Sequence, residues 1–271
     1  MFLRSPIIVP LLLLVACKLR GSSGSDVEMA RGKLATGKEI FMPKVVALTM
    51  PVSEEMARGC SGVLVGPKHV VTAAHCVHSA KKIIVDRYER NLSSSTRNGV
   101  AWKAFPDFKN NQSGISHVMS AIDLGIVVVD APFPPPFMKL NPNRANSIPN
   151  AIYIGVGKSE GNKSDEKLRY AENIHTTRID YRGWGSIWQS RGVAALCPGD
   201  SGGPLITSAG ELLGINSTIS AAASGKHGIC GESKSSTQAD VYAHLDWIVC
   251  TFKGWGAPLP GFEKFACNSN K

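Results

Sequence analysis

Short β-branched and apolar runs, separated by glycine, proline and asparagine, most constrain the fold of this 271-residue chain. Five such runs lie at 45–48, 62–65, 83–85, 126–129 and 151–154. This spacing is typical of an all-β protein. Helical spacing is confined to the end of the chain, where Val241, Leu245 and Ile248 recur at i, i+4 and i+7. We therefore expect strands followed by one C-terminal helix.

A serine enclosed by glycines lies in the segment Cys197-Pro-Gly-Asp-Ser-Gly-Gly-Pro204. The small neighbours permit a sharp turn and let another molecule approach the Ser201 hydroxyl closely. Upstream, His75 stands between small residues and a cysteine, and Asp123 begins an apolar run between the two segments. Each residue alone has an ordinary packing, turn or loop interpretation. Together they supply the parts of a nucleophilic triad, and the chain order His, Asp, Ser is one of several that build it.

With these segments in this order, the chain resembles the chymotrypsin/trypsin-like serine protease family from about residue 38 to residue 248. Further matching segments are Gly62-Val-Leu-Val-Gly-Pro67 and Leu213-Gly-Ile-Asn-Ser217. The resemblance implies an all-β fold of two antiparallel six-stranded barrels packed face to face, with the active site between them and a C-terminal helix. We expect one protease domain over residues 38–271, with a proline-rich crossover between the barrels near 131–145.

The resemblance also implies a role for each site residue. Ser201 would attack the scissile carbonyl, His75 would take its proton, and Asp123 would hold the imidazole in the productive tautomer. The backbone N–H groups of Gly199 and Ser201 would form the oxyanion hole, and Ser217 would support the triad by hydrogen bonding Asp123. The implied function is a serine endopeptidase that forms an acyl-enzyme and needs no cofactor.

One departure from the family concerns activation. Members are usually zymogens, in which cleavage frees an Ile-Val-Gly-Gly amine that pairs with the aspartate before the serine, here Asp200. In this chain the equivalent region reads Met29-Ala-Arg-Gly32. Three alternatives follow: the N-terminal segment is trimmed, a side chain such as Lys33 or Lys38 replaces the amine, or the oxyanion hole is only partly formed. In the last case the chain would be a protease-like binding module.

The specificity pocket departs from trypsin as well. Six residues before Ser201, the chain has Ala195 where trypsin-like members carry the aspartate that selects Lys or Arg. Leu196 and Ile219 would add bulk to the pocket. Asp240 either restores an acid at the far wall or is a solvated turn or N-cap residue. We expect preference for small or medium uncharged side chains, because burying a substrate cation without a partner charge is costly.

The chain has 7 cysteines, and an odd number in an exported protein leaves one for another role. The other six allow fifteen pairings. The family resemblance implies Cys60 with Cys76 and Cys197 with Cys230, which leaves Cys250 and Cys267 as the third pair. Three disulfides would indicate an oxidising compartment.

Residues 1–16 are typical of a signal peptide, since Arg4 precedes an apolar run that is too short to span a bilayer. The run ends Leu14-Val-Ala-Cys17, which resembles the lipobox of bacterial lipoproteins, in which the cysteine is acylated. Residues 17–37 would then be a lipidated cysteine and a flexible tether. We expect a lipid-anchored protein of the bacterial cell envelope, facing the periplasm or the exterior. An ordinary signal peptide, and thus a secreted protein, is the alternative.

The formal net charge is +9, but basic residues are scattered among acidic ones. No basic-aromatic motif accompanies the charge, so nucleic-acid binding is not expected. His69, His75 and His78 lack a second Cys/His pair at zinc spacing, so no metal site is expected. We expect a monomer that acts on proteins or peptides. An ester hydrolase with this triad is disfavoured, because there the serine precedes the histidine on a parallel sheet.

Overall fold

The computed structural model describes residues 32–89, 94–108, 120–141, 145–157, 167–181, 183–191, 196–219 and 235–267. The strands are β1 (Lys33–Leu34), β2 (Val45–Pro51), β3 (Ala57–Gly66), β4 (His69–Thr72), β5 (Ile84–Tyr88), β6 (Ser94–Ala104), β7 (Gly125–Val129), β8 (Lys139–Leu140), β9 (Ser147–Gly155), β10 (Arg169–Tyr181), β11 (Gly185–Arg191), β12 (Pro204–Ile206), β13 (Glu211–Ile219) and β14 (Ser235–Asp240). The helices are α1 (Ala74–Val77) and α2 (Leu245–Gly254), with 3-10 turns at Met42–Lys44 and Tyr242–His244. The predicted signal peptide, Cys17 and most of the tether lie outside the described residues.

The first barrel is a closed sheet of six strands in the order β2-β3-β4-β7-β6-β5. Neighbouring strands pair antiparallel all the way round, from β2 with β3 to β2 with β5. Every residue of β4 and β7 is buried, which explains why β7 is a continuous Gly-Ile-Val-Val-Val run rather than an alternating one. These two buried strands are neighbours, and each leads to or from a segment of the candidate site.

The second barrel closes through β9-β10-β11-β14-β13-β12, because β9 pairs with both β10 and β12. Strand β1 extends this sheet beside β10, and β8 lies parallel to β13. The expected fold of two six-stranded antiparallel barrels with a C-terminal helix is confirmed. The two-residue strands β1 and β8 were not expected, since so short a segment carries no periodic signal.

The C-terminal helix packs an apolar face onto the barrels. Ile248, Val249 and Phe252 of α2 are fully buried in a core cluster that includes residues of both barrels, such as Val46 and Ile215. The helix begins four residues after Val241, so the predicted period started one turn too early. No helix within the described ranges is long and apolar enough to cross a membrane.

Candidate active site

A buried aspartate joins side chains from both barrels. His75 lies in α1, directly after β4, and Asp123 precedes β7, the strand paired with β4. The His75 Nδ1 atom lies 2.7 Å from Asp123 Oδ2, and the His75 backbone N–H donates to Oδ1 at 2.9 Å. From β13 of the second barrel, the Ser217 hydroxyl donates to Asp123 Oδ2 at 2.6 Å. The pairing of β4 with β7 therefore fixes the histidine and aspartate, and the second barrel completes the chain of hydrogen bonds.

The charge of His75 and the hydrogen bonds to Asp123 favour the ionised form of this aspartate. Burial alone raises the pKa of Asp123, but the His75 charge and the hydrogen bonds from His75 and Ser217 outweigh it, so the pKa is below its ordinary value. Burial likewise lowers the pKa of His75, but the charge of Asp123 and its hydrogen bond outweigh that effect and raise it. The arrangement thus stabilises an imidazolium beside a carboxylate, which a proton-accepting histidine requires.

Ser201 lies in the loop before β12, against the segment that leads to His75. The Ser61 backbone N–H donates to the Ser201 carbonyl at 2.7 Å. The neighbouring Gly202 has φ +84°, and a Cβ there would overlap Thr72 Oγ1, three residues before His75. Only glycine permits this close approach. Backbone packing therefore places the Ser201 loop beside the histidine turn.

The turn at Gly199 is held by a serine side chain from the first barrel. Gly199 has φ +99°, and a Cβ there would lie 2.8 Å from the Cα of Gly157. The Ser61 hydroxyl donates to the Gly199 carbonyl at 2.8 Å and accepts the Val156 N–H at 2.9 Å. Within the described part of the chain, the N–H groups of Gly199 and Ser201 donate to no protein acceptor. Sequence reasoning missed Ser61, because its partner lies 138 residues later in the chain.

Asp200 is a second buried carboxylate, only 1% exposed. Its Oδ1 accepts the Gly157 N–H at 2.8 Å, and its Oδ2 accepts the Cys197 N–H at 2.8 Å. Burial raises the pKa of Asp200 to about 6, although the two backbone hydrogen bonds and the charge of Arg169 lower it. Asp200 therefore ties the Ser201 loop to the end of β9.

The two lysines predicted to replace a free amine do not do so. Lys33 lies on β1, where its Nζ donates to Glu172 Oε2 at 2.6 Å and its side chain is 64% exposed. Lys38 is also exposed to solvent. A buried carboxylate such as Asp200 cannot pair with a cation that faces solvent, so the prediction is wrong for both lysines. The equivalent of the family's amine region, Met29–Arg31, lies outside the described residues.

Asp240 does not provide a free acid to a specificity pocket. It is 1% exposed, and its Oδ2 accepts hydrogen bonds from Arg178 Nε at 2.7 Å and from the Ser186 hydroxyl. Its Oδ1 accepts the Tyr242 N–H at 3.0 Å. The predicted pocket acid is therefore wrong. The predicted role at the turn before the last helix is supported by the bond to Tyr242, but the carboxylate is buried and not solvated. Arginine compensates the carboxylate inside the second barrel.

Of the other predicted pocket residues, Leu196 lies in the core of the second barrel. Leu196 is 3% exposed and belongs to an apolar cluster of the second barrel that includes Trp188 and Leu205. It therefore fills the barrel core instead of narrowing a pocket. Ala195 and the side chain of Ile219 lie outside the described residues.

The cysteines tie the site and the C-terminus to the barrels. Disulfides join Cys60 to Cys76 and Cys250 to Cys267. Cys197 is disulfide-bonded, while its predicted partner, Cys230, lies outside the described residues. Potential metal ligands of Cys60, His75 and Cys76 lie together. Because a disulfide offers no thiolate, this group is not a set of free metal ligands.

The region of the chain that matches known proteins contains both barrels and the candidate site. The family model named Trypsin matches residues 37–247, which include both barrels, His75, Asp123 and Ser201. The chain belongs to the trypsin family. As a trypsin-family protein it is similar to the thrombin-like enzyme acutin of Deinagkistrodon acutus, with 28% identity over 212 residues, covering 70% of this chain and 83% of acutin.

Two further similarities bear on fold and activity. The solved structure of HL collagenase superimposes with a TM-score of 0.63 at 23% identity, covering 83% of this chain and 97% of that one, which shows a shared fold. Human inactive serine protease 35 is 53% identical, but over only 30 residues, or 11% of this chain and 7% of that protein. This short match leaves activity to be decided by the site and by experiment.

Proposed function

We propose that this trypsin-family protein is an active serine endopeptidase that cleaves proteins or peptides through an acyl-enzyme. The observation that carries the proposal is the hydrogen-bonded chain from Ser217 through Asp123 to His75, with the Ser201 loop packed beside it. An aspartate that holds a histidine in one tautomer, beside a loop that carries a serine, supplies the groups needed to activate a neutral hydroxyl.

The reaction would proceed in two balanced steps. In the first, Ser201 Oγ bonds to the scissile carbonyl carbon while His75 takes the hydroxyl proton and then gives it to the leaving amine, so that the C–N bond breaks. In the second, water bonds to the acyl carbon while His75 takes a proton from it and gives that proton to Ser201 Oγ. The ester C–O bond breaks, which releases the carboxylic acid and restores the serine. Asp123 stabilises the imidazolium in both steps, consistent with its lowered pKa.

Support for a formed oxyanion hole comes from the Gly199 turn. The positive φ of Gly199 and the hydrogen bond from Ser61 to its carbonyl fix this turn, and the N–H groups of Gly199 and Ser201 are the donors we propose for the oxyanion. A single donor of this kind lowers the barrier by about 3–4 kcal/mol. This arrangement favours an enzyme over a protease-like binding module.

The proposed substrate preference is for small or medium uncharged side chains before the scissile bond. Asp240 was the residue that the sequence offered as a carboxylate for a substrate Lys or Arg. Its pairing with Arg178 and Ser186 removes that alternative. A cation buried without a partner charge is disfavoured by far more than a methylene group contributes to binding.

Labelling with a fluorophosphonate probe and hydrolysis of fluorogenic peptides test the function together. We expect the wild type to label and to cleave peptides ending in Ala, Val or Leu faster than those ending in Lys or Arg. Ser201→Ala should lose both activities, by about 10⁴-fold or more in kcat, while its thermal unfolding is unchanged. A folded wild type that neither labels nor cleaves would support the binding module, and activity retained in Ser201→Ala would reject the triad.

For location, we propose attachment to a bacterial cell envelope through an acylated Cys17, on the sequence pattern alone. One acyl-bearing cysteine would carry the hydrophobic attachment. Cys17→Ser should therefore move the protein out of the membrane fraction and abolish metabolic fatty-acid labelling. Labelling that survives the substitution, or no label on the wild type, would favour a secreted protein.

A further inference from the structure

The buried carboxylate of Asp200 needs a positive charge close by. Its two oxygens accept backbone N–H groups, but an ionised carboxylate removed from water remains costly without a cation. The lysines of the N-terminal segment, Lys33 and Lys38, are exposed. Among the described residues, a cation for Asp200 therefore has to be sought outside this pair of lysines.

Arg169 occupies the place from which such a charge can act. It is the first residue of β10, is 1% exposed, and pairs in register with Gly155 of β9. Residues directly opposite each other on paired strands project their side chains from the same face, with Cβ atoms about 4.5–5.5 Å apart. Gly155 has no side chain, and a Cβ built there would overlap Asp200 Oδ1. The Asp200 carboxylate thus fills the side-chain position opposite Arg169.

We propose that Arg169 is a positioning residue that supplies the internal positive charge for Asp200 and so keeps the oxyanion loop assembled in the uncut chain. The proposal rests on the proposed peptidase function. Arg169 also donates to the Lys167 carbonyl at 3.3 Å, which holds its side chain at the start of β10. Arg169 was not among the sources of positive charge that the sequence suggested for Asp200, since it belongs to no motif.

The link from Arg169 to the reacting groups runs through the charge of Asp200 and the backbone hydrogen bonds that its carboxylate accepts. Arg169 favours the ionised form of Asp200, and the ionised carboxylate accepts the N–H groups of Cys197 and Gly157. Those bonds close the loop that carries Gly199, whose turn already packs on Gly157. Without the cation, Asp200 would favour protonation or movement toward water, and the loop would lose an anchor.

The test compares Arg169→Gln and Arg169→Lys in the exported protein, with mass spectrometry to verify that the tether of residues 17–37 has not been trimmed. Arg169→Gln should lower kcat by about 10- to 100-fold, less than deletion of an oxyanion donor, while KM changes little. Arg169→Lys should recover a large part of kcat, since it restores the charge. Lys33→Gln, which removes an exposed cation from the adjacent β1, should behave like wild type.

A double-mutant cycle with Asp200→Asn shows whether Arg169 acts through that carboxylate. If it does, adding Arg169→Gln to Asp200→Asn should cause little further loss of kcat, and the same coupling should appear in urea unfolding. Independent, multiplicative losses would overturn the proposal, as would unchanged kcat in Arg169→Gln or activity that appears only after N-terminal cleavage. If the wild type is inactive, the peptidase function fails, but the unfolding cycle still confirms or rejects the pair.

Discussion

The proposed triad and the loop that carries Ser201 each contain a buried carboxylate, and the two carboxylates differ in the charge beside them. Asp123 is 2% exposed and Asp200 1%, yet the pKa of Asp123 is lowered while that of Asp200 is raised to about 6. Asp123 faces the His75 ring at 2.7 Å and the Ser217 hydroxyl at 2.6 Å. Asp200 has two backbone donors and the charge of Arg169. Equal burial therefore gives opposite results, because direct side-chain partners outweigh desolvation only at the triad.

Among the substitutions that test this difference, Asp123→Asn should have the largest effect on kcat. An amide can occupy the same space, but it cannot stabilise an imidazolium and it favours the wrong tautomer of His75. Removal of the charge from a triad of this kind costs about 10⁴-fold in kcat. Steady-state kinetics at neutral pH would measure the loss, with circular dichroism as the control for folding. A folded Asp123→Asn protein with wild-type kcat would show that this carboxylate is not part of the reaction.

The sequence pointed to the residues of the proposed triad but not to the residues that support the Ser201 loop, for a physical reason. His75, Asp123 and Ser201 lie in short segments whose local composition marks them. The supports of the oxyanion loop act across strand pairings, as Ser61 does on Gly199 and as Arg169 does through its register with Gly155. Register is a long-range property, and nothing adjacent to these two residues reveals it.

The fold was predictable for a similar reason, and the pocket was not. The repeated β-branched runs predict strands of the two barrels, and the family resemblance predicts how those strands are arranged. Leu196 and Asp240 were assigned to a pocket because the family resemblance places pocket residues at about these positions in the sequence. Packing places Leu196 in the core of the second barrel and pairs Asp240 with Arg178. Side-chain direction depends on such packing, which spacing alone does not determine.

The pH dependence of the free energy of unfolding tests the difference between Asp200 and Asp123, with an effect of intermediate size. Because folding raises the pKa of Asp200 from 3.8 to about 6, the neutral acid is favoured in the folded state. This contribution is fully present below pH about 4 and is lost as the pH rises through about 6. The free energy of unfolding of wild type relative to Asp200→Asn should therefore fall by about 2 kcal/mol between pH 4 and 7.

The matched control is Asp123→Asn, for which the opposite sign is expected. The lowered pKa of Asp123 contributes stability above its ordinary value of 3.8, and that stability is lost as the pH falls through the folded pKa. Urea unfolding across the pH range would measure both differences. Two curves with the same slope would contradict the contrast between the carboxylates.

The smallest expected effect concerns Ser217, the hydroxyl that contributes to the contrast without taking part in the reaction. Ser217→Ala removes one of the hydrogen bonds to Asp123 but leaves the His75 contacts in place. One hydrogen bond to a charged group is worth about 1.5–3 kcal/mol, and part of it is regained if water replaces the hydroxyl. We expect a roughly tenfold loss of kcat, which corresponds to about 1.4 kcal/mol, with KM little changed.

Thr218→Ala removes a hydroxyl from the next residue, which bonds the hydroxyls of Thr237 and Ser120 rather than Asp123 or His75, and should cost less. Equal losses in the two variants would mean that the strand, and not the bond to Asp123, matters for the rate.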